Sequence, residues 1–392
     1  MEQEIDSIAE AVGGEIVGVS DYIFGHPELG DREFAGSAFL AGLLAKNGFR
    51  VEVPYKGLKT AFRAEYGDPR GVKVAFPAEY DALPGYGPRK KPAHACGHNW
   101  IAASAVGAAL ILSKLGDLAG GCAVVLGTPA EETAGRKVDL LKAGAFDDIA
   151  AVFQMHLAGA TSLNTSALAI DSWKFEFFGR ASHAAVRPFD GINALDAVNL
   201  TFAGIGALRQ QLRQDVRIHG IVSDGGEAPN VIPGYAACKF YVRAADRAYL
   251  DEVSKKVKNC AKGAALMTGA RVGISRFENS FDDLRVNSVL RRLMRGNLMK
   301  CGIDDFSPEP ALTGSTDIGN VSRRVPTFYG NIGVGDGRTG AHEEAFLRFV
   351  NSEEAHGKLL KVAKAFAYSA CELFRNPELL KEAGAELEAA GP

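Results

Sequence analysis

The segments VKVAFPA (72–78), CAVVLG (122–127) and AAVFQMH (150–156) are apolar at almost every position rather than at every second one. A strand with one face in water alternates, so unbroken runs of this kind belong to strands covered on both sides. Between the first two lies a long segment of helical character, from His98 to about Leu115. Strands of this type alternating with helices restrict this part of the chain to an α/β sheet with helices on both faces.

Around that block, residues 4–24 and 33–46 carry helical periodicity on either side of the breaker cluster GHPELGD. Short β-rich strands are expected at Val51–Pro54 and Thr60–Tyr66, and a further helix near 135–143. At about residue 168 the pattern changes. Strand (Trp173–Gly179), helix (Ile192–Gln211), strand (Val216–Ser223), strand (Ala236–Ala244), helix (Tyr249–Met267) and strand (Arg271–Glu278) follow in the order βαββαβ, which predicts an inserted α+β ferredoxin-like sandwich. The α/β pattern then resumes with helices near 284–300, 315–323 and 353–374, and the tail KEAGAELEAAGP is expected to be a polar helix that frays. Residues 1–167 and 282–392 should therefore make one domain and 168–281 another, as the length of 392 residues itself suggests.

Composition narrows the partners. A formal net charge of −3 provides no basic field, which turns the expectation from nucleic acid or anionic lipid toward a small molecule or peptide. The start MEQEIDSIAE lacks the positive charge and apolar stretch of a secretory signal. The run Ile101–Leu112 is shorter than the ~20 residues a bilayer requires. Cys96, Cys122, Cys238, Cys260, Cys301 and Cys371 are scattered without paired spacing, so reduced thiols in a cytoplasmic protein are expected.

Chemistry concentrates in four places. In HACGHN (94–99), Cys96 and His98 are two apart and can face one centre, a thiolate and an imidazole that suit zinc or a similar ion; a Cys-x-His triplet is also often incidental. In TPAEET, Glu131 and Glu132 follow the strand CAVVLG. Neighbours in a tight turn can divide labour, one carboxylate on a metal and one as a base, although two acids at a helix N-terminus would look the same. His156 ends the strand AAVFQMH, where open α/β sheets gather ligands. His342 in TGAHEEAF could complete the set or simply face solvent.

These motifs, with GHPELGDREF, PAEYDALPG, GRASHAAVRPFDGINAL, APNVIPGYAACKFYVRA and GSTDIGN, occur in an order and spacing that resembles peptidase family M20, the aminoacylase and carboxypeptidase G group, and within it the amidohydrolase subfamily D. The resemblance spans nearly the whole chain. It implies a zinc-peptidase-like catalytic domain with a mixed sheet, plus a satellite domain used for homodimerisation. It also implies two divalent metal ions, zinc or manganese with cobalt as a third candidate, held by Cys96 as the shared ligand with His98, Glu132, His156 and His342. Glu131 would be the general base and Asp81 would orient the metal-binding loop. His183 resembles a histidine that reaches into the partner's site to hold the oxyanion, while Asn230 and Arg243 resemble residues that grip the substrate. Asn99 after the CGH triplet, and GSTDIGN, point to the branch similar to aminobenzoyl-glutamate hydrolase and β-alanyl-lysine dipeptidase. Glu79 stands where other members of the family place a metal-binding histidine.

The expected reaction is hydrolysis of an amide bond in an N-acyl amino acid, an aminobenzoyl-glutamate-like conjugate or a dipeptide by a metal-activated water. Two other readings stay open on sequence: a hydrolase with Cys96 as nucleophile and His98 or His94 as base, and a ligand-binding homologue without turnover.

Overall fold

The computed structural model describes residues 2–308, 311–312 and 314–391. In chain order its longer elements are α1 (Glu2–Gly25), α2 (Phe34–Lys46), β1 (Arg50–Glu52), β2 (Phe62–Gly67), β3 (Val72–Ala78), α3 (His98–Lys114), β4 (Gly121–Gly127), α4 (Arg136–Lys142), β5 (Ala151–Ala158), β6 (Ala169–Phe178), α5 (Ala194–Leu208), β7 (Arg217–Asp224), β8 (Tyr235–Ala244), α6 (Arg247–Thr268), β9 (Arg271–Arg276), α7 (Ser288–Lys300), α8 (Ile318–Ser322), β10 (Thr327–Gly333), α9 (Glu353–Arg375) and α10 (Pro377–Ala389). The chain separates into two compact units, Met1–Ser166 with Leu284–Pro392, and Ala167–Asp283. The breaks fall after Ser166 rather than 167 and after Asp283 rather than 281. Backbone bonds in both directions between Ile170 and Phe281 close the second unit, which keeps the residues around them with it.

In the first unit six strands form one sheet in the order β10-β5-β3-β4-β2-β1. The first four run parallel, β2 pairs antiparallel with β4, and β1 pairs antiparallel with β2, a mixed sheet. Val74, Phe76, Phe153, Met155 and Phe328 point into a core shared with α1, α3 and α9. The alternate residues Ala75, Val124, Val152 and Gln154 are buried as well, so both faces are covered and the apolar runs have their physical cause. Helix α3 is buried from His98 to Ser113 and therefore has no polar stripe.

Strand β10 is absent from the sequence-based expectation, yet every one of its residues is buried and it pairs with β5 from Thr327↔Val152 to Gly333↔Ala158. Its TFYGNIG mixes two glycines and an asparagine into the run, which hides the strand period. Helix α7 begins at Ser288 rather than 284 because Asn287 accepts the Leu290 N–H as its cap. The short α8 begins at Ile318; Asp317 stands at its cap position without capping it.

The second unit is an antiparallel sheet ordered β7-β8-β6-β9, and its elements follow along the chain as βαββαβ. It has its own core, with Phe175, Phe177, Phe240 and Val242 of the sheet against Val198 of α5 and Leu250 and Val257 of α6. Strand β6 starts at Ala169, ahead of the expected Trp173, and pairs with Ala244 there. Strand β7 lies at the sheet edge and is exposed at every residue but Ile218. Among the described residues no helix is long and apolar enough to cross a membrane, and all six cysteines are free thiols.

Candidate metal centre

Parallel strands β3, β4 and β5 lie side by side, and the segments leaving their carboxyl ends carry the chemistry. After β3 the chain runs through Glu79 and Asp81, both buried. Asp81 is tied to the GHPELG segment by a short parallel pairing, Glu28↔Asp81 and Leu29↔Ala82, while the Glu28 carboxylate accepts the N–H groups of Ala35 and Gly36 at the start of α2. Gly97, at φ 84°, turns the backbone between Cys96 and the first residue of α3 in the left-handed region that only glycine enters freely.

Asp81 uses both oxygens. Oδ1 accepts from His98 Nδ1 at 2.8 Å and Oδ2 accepts the Glu132 N–H at 3.0 Å. The imidazole is thereby oriented with its Nε2 turned inward. His156 is oriented in the same manner: Nδ1 donates to the Leu157 carbonyl at 2.6 Å and Nε2 faces Cys96 Sγ at 3.2 Å. Glu132 Oε1 lies 3.7 Å from His98 Nε2 and 3.2 Å from His342 Nε2. His342 is half-exposed, at φ 68°, and its backbone is held at both ends, the N–H by the Ala95 carbonyl and the carbonyl by the Tyr86 hydroxyl.

Two donor sets result. The ligand atoms of Cys96, His98 and His156 lie within 4.8 Å of one another, as do those of Cys96, Glu132 and His342, and Cys96 is common to both. His98 Nε2 and Glu132 Oε1 are buried and form no aligned hydrogen bond. Each such orphan costs about 1–3 kcal/mol unless something fills the space between them. Paired divalent cations would do so, and a thiol, three imidazoles and a carboxylate are the donors that borderline-soft ions take. The residues fit such a group.

Burial and neighbouring charges shift several of these groups. Burial, then the Glu132 charge, raises the Cys96 thiol well above its usual range. Burial opposes protonation of His98, but the charges of Asp81 and Cys96 outweigh it and raise that imidazole. His156 is lowered by burial and then by His98. A bound cation reverses such preferences, because it deprotonates thiols and excludes imidazolium.

Glu131 sits in a turn, not on a helix; α4 begins only at Arg136. The preceding Ala130 has φ 54°, a strained position for a residue with a Cβ, and the buried Glu33 carboxylate braces it by accepting its N–H at 2.7 Å. The Glu33 carboxyl is itself raised to about 7, by burial and then by Asp81. A Glu131 oxygen lies within 4.8 Å of its counterparts on His98 and Glu132, and another grouping joins it with Glu79 and Asp317. Burial, then Glu79, Glu132 and Asp317, raises its carboxyl well above the ordinary range.

Sequence reasoning left Lys137, Glu33, Gln154 and Asp317 without a role and Glu79 without a partner. Fully buried Lys137 donates to Glu79 Oε1 at 2.5 Å and to Asp317 Oδ1 at 2.7 Å, and Gln154 Nε2 donates to the same Glu79 oxygen at 2.6 Å. Burial disfavours the ammonium, but Asp317 and Glu79 hold it protonated. Gln154 lies in the apolar run AAVFQMH, but no sequence signal marks the charged residues as interior, since a lone Lys, Glu or Asp reads as solvated. His94 is buried, and burial followed by the neighbouring His98 lowers it to about 3.

His183, Asn230 and Arg243 belong to the second unit. His183 and Asn230 are neighbours: His183 pairs with Val231, and the Ala184 N–H donates to the Asn230 carbonyl. His183 is exposed, and its Nδ1 accepts the N–H groups of Ala185 and Val186 at 3.3 Å, leaving Nε2 as the protonated nitrogen. Arg243 is half-buried on β8 opposite Ile170 and Arg217.

Residues 75–368 match peptidase family M20/M25/M40. The chain is 36% identical over 396 residues to the Xaa-Arg dipeptidase of Mus musculus, covering 97% of this chain and 89% of that one. It is 32% identical over 322 residues to a p-aminobenzoyl-glutamate hydrolase polypeptide of Escherichia coli (strain K12), covering 78% and 66%. Among solved structures, the YXEP protein of Bacillus subtilis, described as a dinuclear metal binding peptidase from the M20 family, has a TM-score of 0.70 at 21% identity over 93% of this chain and 99% of that one. That last likeness is one of fold.

Proposed function

The chain belongs to peptidase family M20/M25/M40, and from that premise we propose that it hydrolyses the amide bond of a dipeptide or a related N-acyl amino acid with two divalent metal ions. The observation that carries the reading is the pair of donor sets sharing Cys96, with His98 Nε2 and Glu132 Oε1 buried among them and in no aligned hydrogen bond. Cys96, His98, Glu132, His156 and His342 would hold the ions, zinc or manganese. Bound there, they supply Lewis acidity toward the scissile carbonyl and an acidified water.

The chain's own residues do the rest. Glu131, with an oxygen within 4.8 Å of the ligand atoms of His98 and Glu132, accepts the proton of the attacking water and returns it to the departing amine. Asp81 keeps His98 and the Glu132 turn in place. His183 carries its proton on Nε2 and is exposed, which suits it to donate to the oxyanion in the site of a second copy. The exposed edge strand β7, with Ile221 and Val222 in solvent, supports a homodimer formed through this unit. Asn230 and Arg243 would grip the substrate. Similarity to the Xaa-Arg dipeptidase favours a dipeptide, ahead of an aminobenzoyl-glutamate-like conjugate. The free thiols favour a reducing compartment, the cytoplasm.

A cysteine nucleophile is disfavoured, since the Cys96 thiol is buried and held un-ionised without a cation. Chelation separates the two. Stripping metal should abolish cleavage of Xaa-Arg and Xaa-Lys dipeptides and Mn²⁺ or Zn²⁺ should restore it. Glu131→Gln should lower kcat by about 10²–10⁴-fold at unchanged metal content. Turnover that survives chelation and is lost on thiol alkylation would overturn the proposal.

A further inference from the structure

Lys137 is buried completely, with an ammonium that no step of the proposed reaction uses. Its surroundings join four elements. Nζ bridges Glu79 at the end of β3 and Asp317 at the start of α8, the Lys137 backbone N–H donates to Asp317 Oδ2 at 3.0 Å, and Gln154 of β5 donates to the Glu79 oxygen that Lys137 also holds. Gln154 and His156 are two apart on β5 and so share a face. With Oε1 fixed by two donors, Glu79 turns Oε2 toward His98 Nε2 at 3.6 Å, the buried imidazole nitrogen that lacks a hydrogen bond.

We propose that Lys137 is a positioning residue of the metal centre: through Glu79 it fixes a carboxylate oxygen beside His98 Nε2 and so sets the affinity of that side of the centre for a divalent cation. This rests on the metal-dependent reading above. An ammonium needed only to neutralise buried acids would be replaceable by removing an acid along with it, because exchanging a buried ion pair for neutral groups is often tolerated. An ammonium that aims Glu79 is not replaceable in that way.

The test is a double-mutant cycle read by calorimetric titration of Mn²⁺ and Zn²⁺ into the chelator-stripped full chain, with thermal unfolding alongside. Lys137→Met and Glu79→Gln should each weaken cation binding by about 10–100-fold, the range for groups that orient metal ligands. The double variant K137M/E79Q should regain thermal stability relative to K137M while binding no more weakly than the worse single variant. The proposal is overturned if K137M binds as the wild type does, if the two losses multiply, or if the double variant recovers affinity together with stability. Should K137M not fold, the charge-matched double variant decides alone: wild-type affinity overturns the proposal and weakened affinity at native stability supports it. A wild-type chain that takes up neither ion defeats the metal-dependent reading itself, an outcome distinct from a K137M that binds normally.

Discussion

Asp81 satisfies two donors on different segments, the His98 ring and the Glu132 backbone, each with its own oxygen. An asparagine has one acceptor oxygen and an amide that must donate, so it cannot serve both. Asp81→Asn should therefore weaken divalent binding by about 10–100-fold, measured by cation titration, with little change in the fold; unaltered affinity would show that His98 needs no such support. At this scale the meeting of Cys96, His98, Glu132 and His156 was legible because they belong to or follow strands whose unbroken apolar runs declare a common sheet. His342 could be placed only through the resemblance, since nothing local marks it. Lys137, Glu33 and Asp317 were not legible. Their function depends on being buried against one another, and a charged residue's burial is decided by partners brought in from elsewhere in the chain.

Elements meet in this fold at tolerances the sequence does not display. A Cβ on Gly107, in the middle of α3, would lie 2.9 Å from Ile16 Cγ2 of α1 and 3.0 Å from the Ala363 Cβ of α9. The glycine thus allows three helices to cross, and α3 carries His98 at its first turn. Gly107→Ala should cost about 1–3 kcal/mol through overpacking. Gly14, exposed in α1 with nothing within 4 Å, provides the contrast: alanine there should stabilise by about 0.5–1 kcal/mol through helix propensity. Denaturant unfolding of the two variants checks both signs. The same dependence on context explains β10. Asn331 and two glycines make TFYGNIG a weak strand by propensity, but β5 offers it a complete parallel ladder and the interior buries it. The strongly periodic α9 and the apolar β4 needed no such help.

Two units with separate cores should answer to different perturbations. A cation bound at the Cys96 centre stabilises only the unit that holds it, by about 2.7 kcal/mol at a hundredfold excess over Kd. The second unit has its own electrostatic anchor: buried Asp171 accepts from both terminal nitrogens of Arg247 at 3.1 Å and from the Ser254 and Ser280 hydroxyls at 2.5 Å. Burial alone would raise the Asp171 carboxyl, but Arg247, Ser254 and Ser280 together hold it below its ordinary 3.8. A carboxyl depressed in the folded state contributes stability that is complete above the unfolded value and is lost as pH falls through the folded one. Asp171→Asn should thus cost about 3 kcal/mol near neutrality, and the gap between wild type and variant should close as pH drops below 3.8. Scanning calorimetry of both chains, with and without Mn²⁺, tests the separation directly. Metal should raise one transition and leave the other, while Asp171→Asn should lower the second and leave the metal-sensitive one. A single transition that moves under both treatments would mean that the two cores unfold together, and that stability gained at the metal centre is shared by the whole chain.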